Sequence, residues 1–237
     1  MSTYLLIHGA WHGAWCWYKV APRLEALGHT VVTPDLPGLG RDRTPLNRVS
    51  LARWRDFVCA IIDAQPEPVI LVGHSRAGIV ISEVAEHRPD KVRTLVYLTA
   101  YLPRNGECVF DLAAQATDSL VPPNMVMSSD KTSSVLREEV VRDAFYGCCS
   151  DEDVALARRL LQPEPTLPLA TPVKLTDECF GRVRRVYIGC ERDRTITPAL
   201  QQLMCSAMPC EKVLSIDTDH SPFFSRPDEV VAHLASL

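Results

Sequence analysis

The sequence predicts an α/β fold: a doubly wound, mostly parallel six-stranded sheet with a helical cap inserted after the fourth strand. Three observations predict it. Six short, apolar, β-branched runs recur along the chain. Helical patterns separate most of them. One long interval, between the fourth and fifth runs, breaks the alternation. Residues 1–237 read as one domain, with the core in 1–102 and 181–237 and the cap in 103–180.

The six runs are 4–7, 30–34, 69–72, 94–98, 183–188 and 212–216. Each is too short for a helix and is near-continuously apolar, as a strand covered on both faces would be. Between them, 15–27 runs as a helical pattern to Gly28, a natural stop. Ser50 is a natural N-cap for a helix over 51–64, and the pattern over 76–87 ends before Pro89. Helices over 198–207 and 227–237 complete the alternation. In the interval from Leu102 to Gly181 no strand is expected. Helices are predicted over 135–146 and 151–161, with Pro-rich connections at Pro122-Pro123 and 163–172. Open α/β sheets bind ligands at the C-terminal edge of their strands, so the cap is expected to shape the pocket there.

Composition narrows the class. Hydrophobic residues make up 46% and charged residues 23%, ordinary for a soluble globular enzyme. The net charge is −4 with no block of like charges, which argues against a nucleic-acid surface; Arg41, Arg43 and Arg48 read as solvated. No apolar run reaches the length of a membrane span. Residues 3–7 already read as strand, leaving no room for a targeting segment, so a cytoplasmic protein is expected. The nine cysteines are odd in number and lack metal-ligand spacing, which fits free thiols in a reducing compartment. No metal and no cofactor are expected. The sequence leaves room for a homodimer.

The strongest chemical signal is Val69-Ile-Leu-Val-Gly-His-Ser-Arg-Ala-Gly78. A buried strand runs into Gly-His-Ser75-Arg-Ala-Gly and then a helix. A serine nucleophile needs such a sharp strand-to-helix turn to present its hydroxyl, with small residues where the backbones approach. Gly73, Ala77 and Gly78 supply them; Ala77 stands where Gly is usual.

A serine hydroxyl is barely ionised at neutral pH and needs a base. Of seven histidines, His8 and His12 lie in the loop after the first strand, His29 precedes the second, His74 points away from where a base must sit, and His87 and His233 lie near helix ends. His220, after the last strand, returns to the edge beside Ser75 and is chosen. The base needs an acid to hold its tautomer. Asp193, after the fifth strand, fits the order serine, acid, histidine. Glu191 is its near rival and Glu107 a remote one. Asp219 adjoins His220 too closely in sequence, and Asp35 is assigned to organising its own Asp-Leu-Pro-Gly loop. The oxyanion needs two backbone N–H donors. Arg76 follows the nucleophile and supplies one; Ala10, in His8-Gly9-Ala10-Trp11, supplies the other.

These residues also carry a resemblance. His8-Gly-Ala-Trp-His-Gly-Ala-Trp15, Trp17-Tyr-Lys19, Gly73-His-Ser75, Ser150-Asp-Glu-Asp-Val-Ala-Leu-Ala157, Thr176-Asp-Glu-Cys-Phe-Gly181, Val186-Tyr-Ile188 and Asp219-His220 resemble the plant-type esterase and hydroxynitrile lyase group of α/β-hydrolases. That group includes the salicylate-binding methyl-salicylate esterase, and bacterial carboxylesterases share the pattern. The resemblance covers nearly the whole chain. It implies an α/β-hydrolase fold and a triad at Ser75, Asp193 and His220. The lyases of the group carry Thr where this chain has Gly9, and Lys where it has Ser221, so the resemblance favours hydrolysis.

The reading is a serine carboxylesterase for small aryl or alkyl esters, working through an acyl-enzyme. Trp11, Phe110, Phe145 and Tyr146, with Gly9 and Ser221, are expected to line a mostly apolar pocket. Two other readings stand beside it: a C–C lyase using the same triad, and a small-ligand receptor with little turnover. Arg76 departs from the group, whose members usually have an uncharged residue there. It either offers a cation to anionic substrates or, the preferred reading, pairs with a cap acid or reaches solvent.

Overall fold

The computed structural model describes all 237 residues. Along the chain lie β1 (Thr3–Ile7), α1 (Ala21–Ala26), β2 (Thr30–Val32), α2 (Leu51–Asp63), β3 (Val69–His74), α3 (Ala77–His87) and β4 (Val92–Leu98). An inserted segment follows, with α4 (Val109–Ala113), β5 (Met125–Met127), β6 (Ser133–Leu136), α5 (Val141–Phe145), α6 (Asp151–Leu160) and β7 (Glu164–Pro165). The chain then returns through β8 (Arg185–Cys190), α7 (Pro198–Ala207), β9 (Lys212–Ile216), α8 (Pro222–Ser225) and α9 (Pro227–Ala235).

All six predicted strands join one sheet in the order β2-β1-β3-β4-β8-β9, and every pairing in it is parallel. Alternate side chains on each strand feed two buried layers. Leu5, Ile7, Val69, Leu71, Leu95 and Tyr97 pack with Trp54 and Val58 of α2 and with Ile81 and Val84 of α3. Tyr4, Leu6, Ile70, Val72, Val96 and Ile188 pack with Leu24 of α1 and with Val230 and Leu234 of α9. Each such aliphatic side chain contributes about 2 kcal/mol by burial, which is why the central strands are mostly apolar.

Two expectations are corrected. Residues 135–146 do not form one helix. Leu136, Val140 and Ala144 imitate the spacing of a helical face, but 133–136 pairs antiparallel with both β5 and β7 to make a second, three-stranded sheet. A single turn over Glu138–Val140 then leads into α5. The inserted segment is therefore mixed rather than helical. Residues 15–27 also divide, into a turn at Ala14–Trp17 and the helix α1. Pro22 has no N–H to give an upstream carbonyl, so it sits in the first turn of α1 rather than inside a longer helix. No helix is long and apolar enough to cross a membrane.

Because the sheet is parallel, β1, β3, β4, β8 and β9 all end at the same edge. The segments leaving them hold residues 8–11, Ser75, Thr99, Asp193 and His220.

Candidate active site

Ser75 occupies the turn between β3 and α3 with φ +55°. A non-glycine residue there costs of order 1–3 kcal/mol and persists only where neighbours hold it. Here the Ser75 carbonyl accepts from Gly78 N at 3.1 Å and Tyr101 N at 3.0 Å. The small residues around the turn are required by contact. A Cβ on Gly78 would stand 1.9 Å from the Tyr101 carbonyl oxygen, and one on Gly73 would meet the Ala77 carbonyl oxygen at 3.0 Å.

The Ser75 hydroxyl lies 2.9 Å from His220 Nε2. His220 Nδ1 lies 2.6 Å from Asp193 Oδ2. An ionised Asp193 can only accept, so Nδ1 carries the proton and Nε2 is left to accept from Ser75. Asp193 is further held by the Thr99 hydroxyl on Oδ2, and by Thr195 N at 2.6 Å and Ile196 N at 3.0 Å on Oδ1. The rival acids are elsewhere engaged. Glu191 accepts from the Ser215 hydroxyl, Glu107 pairs with Arg104, and Asp219 accepts from Cys148 N and Ser221 N. Asp35 braces its own loop by accepting from Arg41 N, and ties it to Ala14 N.

The backbone N–H groups of Ala10 and Arg76 donate to no atom of the protein, although both residues are buried. Buried N–H groups are nearly always paired, so two orphans on residues that share one cavity with Ser75 mark a place built for an acceptor. Three histidines that sequence reasoning left without a role brace the site, two of them on the loop bearing Ala10 and the third on the backbone of His220. Leu36 N donates to His8 Nε2, which leaves His8 Nδ1 to donate to Gly9 O at 2.9 Å. His12 Nδ1 donates to Ala10 O at 2.6 Å, and His12 Nε2 accepts from the Tyr146 hydroxyl. His74 Nε2 donates to the His220 carbonyl at 2.8 Å. Burial holds His8 and His12 down to about 3, and His74 well below the usual histidine value. The sequence signal for them was two histidines inside one glycine-containing loop and a third inside the serine turn.

Arg76 is buried and faces an acid of the inserted segment. Its Nε stands 2.8 Å from Glu164 Oε1. The approach is an ion pair without an aligned hydrogen bond, and Arg76 Nη1 has no partner. Burial lowers Arg76 and raises Glu164 from their usual values, each partner opposing the effect on the other. Of the two readings of Arg76, pairing with an acid of the inserted segment describes the geometry. Glu164 gave no sequence signal, being far along the chain in an unrecognised strand.

A cavity of about 160 Å³ opens beside Ser75. Ala10, Ser75 and Arg76 form its floor, and Trp11, Tyr101, Phe110, Val121, Met125 and Leu169 are among its walls. Of the six expected pocket residues, Trp11 and Phe110 line it. Gly9, Phe145, Tyr146 and Ser221 do not. Gly9 lies beneath the serine turn, where a Cβ would stand 2.9 Å from Ser75 Cβ. Phe145 packs on the His220 ring, Tyr146 is spent on His12, and Ser221 is fully buried below the base. No three His, Cys, Asp or Glu side chains are grouped to hold a metal ion, and all nine cysteines are unbridged.

Comparison with known proteins agrees with the fold. A model of the alpha/beta hydrolase family matches residues 4–233. The chain is 31% identical to methylesterase 3 of Arabidopsis thaliana over 248 residues, covering 98% of this chain and 94% of that one. Among solved structures, it is similar to a methylesterase from Arabidopsis at 29% identity and TM-score 0.86, covering 100% and 98% of the two chains. It is similar as well to a pyrethroid hydrolase from Sphingobium faniae at 29% identity and TM-score 0.88, covering 99% and 96%. With its fold and nearly its whole length matched, the chain belongs to the alpha/beta hydrolase family.

Proposed function

We propose that this chain is a serine carboxylesterase that hydrolyses small aryl or alkyl esters through Ser75, His220 and Asp193. The observation that carries the reading is the hydrogen-bonded line from Ser75 Oγ through His220 to Asp193, which ends in a cavity lined by two residues with unpaired backbone N–H groups, Ala10 and Arg76. Relatives named as methylesterases and as a pyrethroid hydrolase support ester chemistry.

The steps follow from the geometry. His220 Nε2 takes the hydroxyl proton as Ser75 Oγ attacks the ester carbonyl carbon. The oxyanion is held by the N–H groups of Ala10 and Arg76. His220 returns the proton to the departing alcohol, leaving an acyl group on Ser75. Water, deprotonated by His220, attacks the acyl carbon, and the Ser75 oxygen leaves with that proton as the acid is released. Asp193 holds the Nδ1–H tautomer and offsets the imidazolium charge. Residues 103–180 act as a cap over this site, a role supported by the presence of Phe110, Val121, Met125 and Leu169 in the cavity wall. An apolar cavity of about 150 Å³ accommodates benzene. The cavity here, about 160 Å³, therefore suits one aryl ring or a short alkyl chain.

An ester panel that varies acyl and alcohol groups separately tests the reading, with Ser75→Ala as control. Turnover of single-ring or short-chain esters that disappears in the variant is the expected result. Stoichiometric labelling of Ser75 by a fluorophosphonate without turnover of any ester would favour a receptor. Cyanide release from mandelonitrile exceeding aryl acetate hydrolysis would favour a lyase.

A further inference from the structure

The side chains of Arg76 and Glu164 take no part in the steps above, yet together they grip the loop that supplies one of the two N–H donors. Arg76 Nη2 donates to the Gly9 carbonyl at 3.0 Å. Glu164 Oε2 accepts from Trp11 N at 2.9 Å. Ala10 lies between these two anchors. The guanidinium is itself held in place by the Trp54 ring, whose centroid lies 4.1 Å from its central carbon.

The Gly9 carbonyl and the Ala10 N–H belong to one planar peptide and point in opposite directions. Fixing the carbonyl therefore aims the N–H. Arg76 also presents its own unpaired backbone N–H beside Ser75, in the same cavity that Ala10 lines. Trp11 adds a second reason for an external hold. Its φ of +61° is costly for a large side chain and needs neighbours to maintain it. Those neighbours all come from the inserted segment: Glu164 takes its N–H, Ser134 O takes its Nε1–H at 3.0 Å, and Gln162 N donates to its carbonyl at 2.9 Å. A buried ion pair is poor value as a stabiliser, because well-packed apolar residues often do as well or better. A guanidinium that donates to a carbonyl while a carboxylate matches its charge does what apolar residues cannot.

We infer that Arg76 and Glu164 are positioning residues of the oxyanion hole: Glu164 fixes the guanidinium, and the guanidinium, together with His8 Nδ1 on the same Gly9 carbonyl, sets the direction of the Ala10 N–H. This rests on the esterase reading and deepens it, since one residue governs both donors, one through its backbone and one through its side chain.

The test is the double variant Arg76→Met/Glu164→Gln. It removes both charges together, keeps an acceptor for Trp11 N, and leaves the Arg76 backbone N–H in place. Two rates are measured. One is ester turnover, split into kcat and KM. The other is phosphonylation by a fluorophosphonate, in which Ser75 Oγ bonds to phosphorus, fluoride leaves and His220 takes the proton. The second rate reads the oxyanion hole even in a protein without ester turnover, so a failed esterase reading is distinguished from a failed positioning role. Expected are a fall of about tenfold to a hundredfold in kcat and in phosphonylation rate, with KM within about threefold and the pH profile unchanged. Arg76→Lys keeps the charge pair but lacks the guanidinium, and is expected to lose kcat in the same way while melting close to wild type. Unchanged phosphonylation in both variants, or a raised KM with kcat preserved, would overturn the inference.

Discussion

His74 Nε2 donates to the backbone carbonyl of His220 at 2.8 Å, so the residue preceding the proposed nucleophile anchors the backbone of the proposed base. His74 Nδ1 has no partner, and the side chain is wholly buried. His74→Phe would fill the same space and remove the single donor. It is expected to lower kcat by about tenfold to a hundredfold through misplacement of His220, with KM nearly unchanged. Steady-state kinetics beside a thermal melt would show it; a variant with wild-type kcat would mean that the contact does not position the base.

Asp193→Asn is expected to cost about four orders of magnitude in kcat, as the same replacement does in a serine protease triad. The reason is specific to this site. Thr195 N and Ile196 N both donate to Oδ1, so an amide would place its oxygen there and turn its NH₂ toward His220 Nδ1. That favours the wrong tautomer. Fluorophosphonate labelling should slow in parallel with ester turnover.

Gly9→Thr tests the floor of the site. A Cβ at Gly9 would lie 2.7 Å from His74 Nδ1 and 2.9 Å from Ser75 Cβ. The serine turn must shift to admit it, and a shift of about 1 Å costs on the order of a hundredfold in rate. The expected outcome is a folded protein with ester turnover reduced by at least that factor. At Gly78 the obstacle is backbone, the Tyr101 carbonyl. Gly78→Ala should therefore destabilise the protein by about 3 kcal/mol in urea melts.

Stability should fall on acidification. His8 and His12 stay neutral in the fold down to about pH 3, while the unfolded chain protonates them near pH 6.5. The unfolded state therefore binds more protons across that window, and stability declines as pH falls through it. Each histidine contributes a slope of about 1.4 kcal/mol per pH unit at most. His74 acts in the same direction. Burial raises Glu164 and Asp219, which opposes the decline once carboxylates titrate. Urea melts from pH 7.5 to 4.5 would show the trend; His12→Gln should flatten it.

The sheet was legible in the sequence because a strand covered on both faces is near-continuously apolar, as 69–72 and 94–98 are. The order of Ser75, Asp193 and His220 was legible because parallel strands deliver their following loops to one edge. The second sheet was not, because its strands are only two to four residues long and β6 mixes Ser133 and Ser134 with Val135 and Leu136. The pocket walls failed for a related reason. Phe145 and Tyr146 are aromatic and near the site, but their place was settled by packing on His220 and His12. Tyr101 lines the cavity and was overlooked, although it follows β4 toward the edge where the other site residues gather.

The buried pair of Arg76 and Glu164 ties two distant stretches of the gene to one another. Neither charge is tolerable inside the protein without its opposite, so neither position is free to drift alone. Among relatives that share the arginine, an acid should accompany it at the position of Glu164, and lineages in which one becomes uncharged should have replaced the other as well.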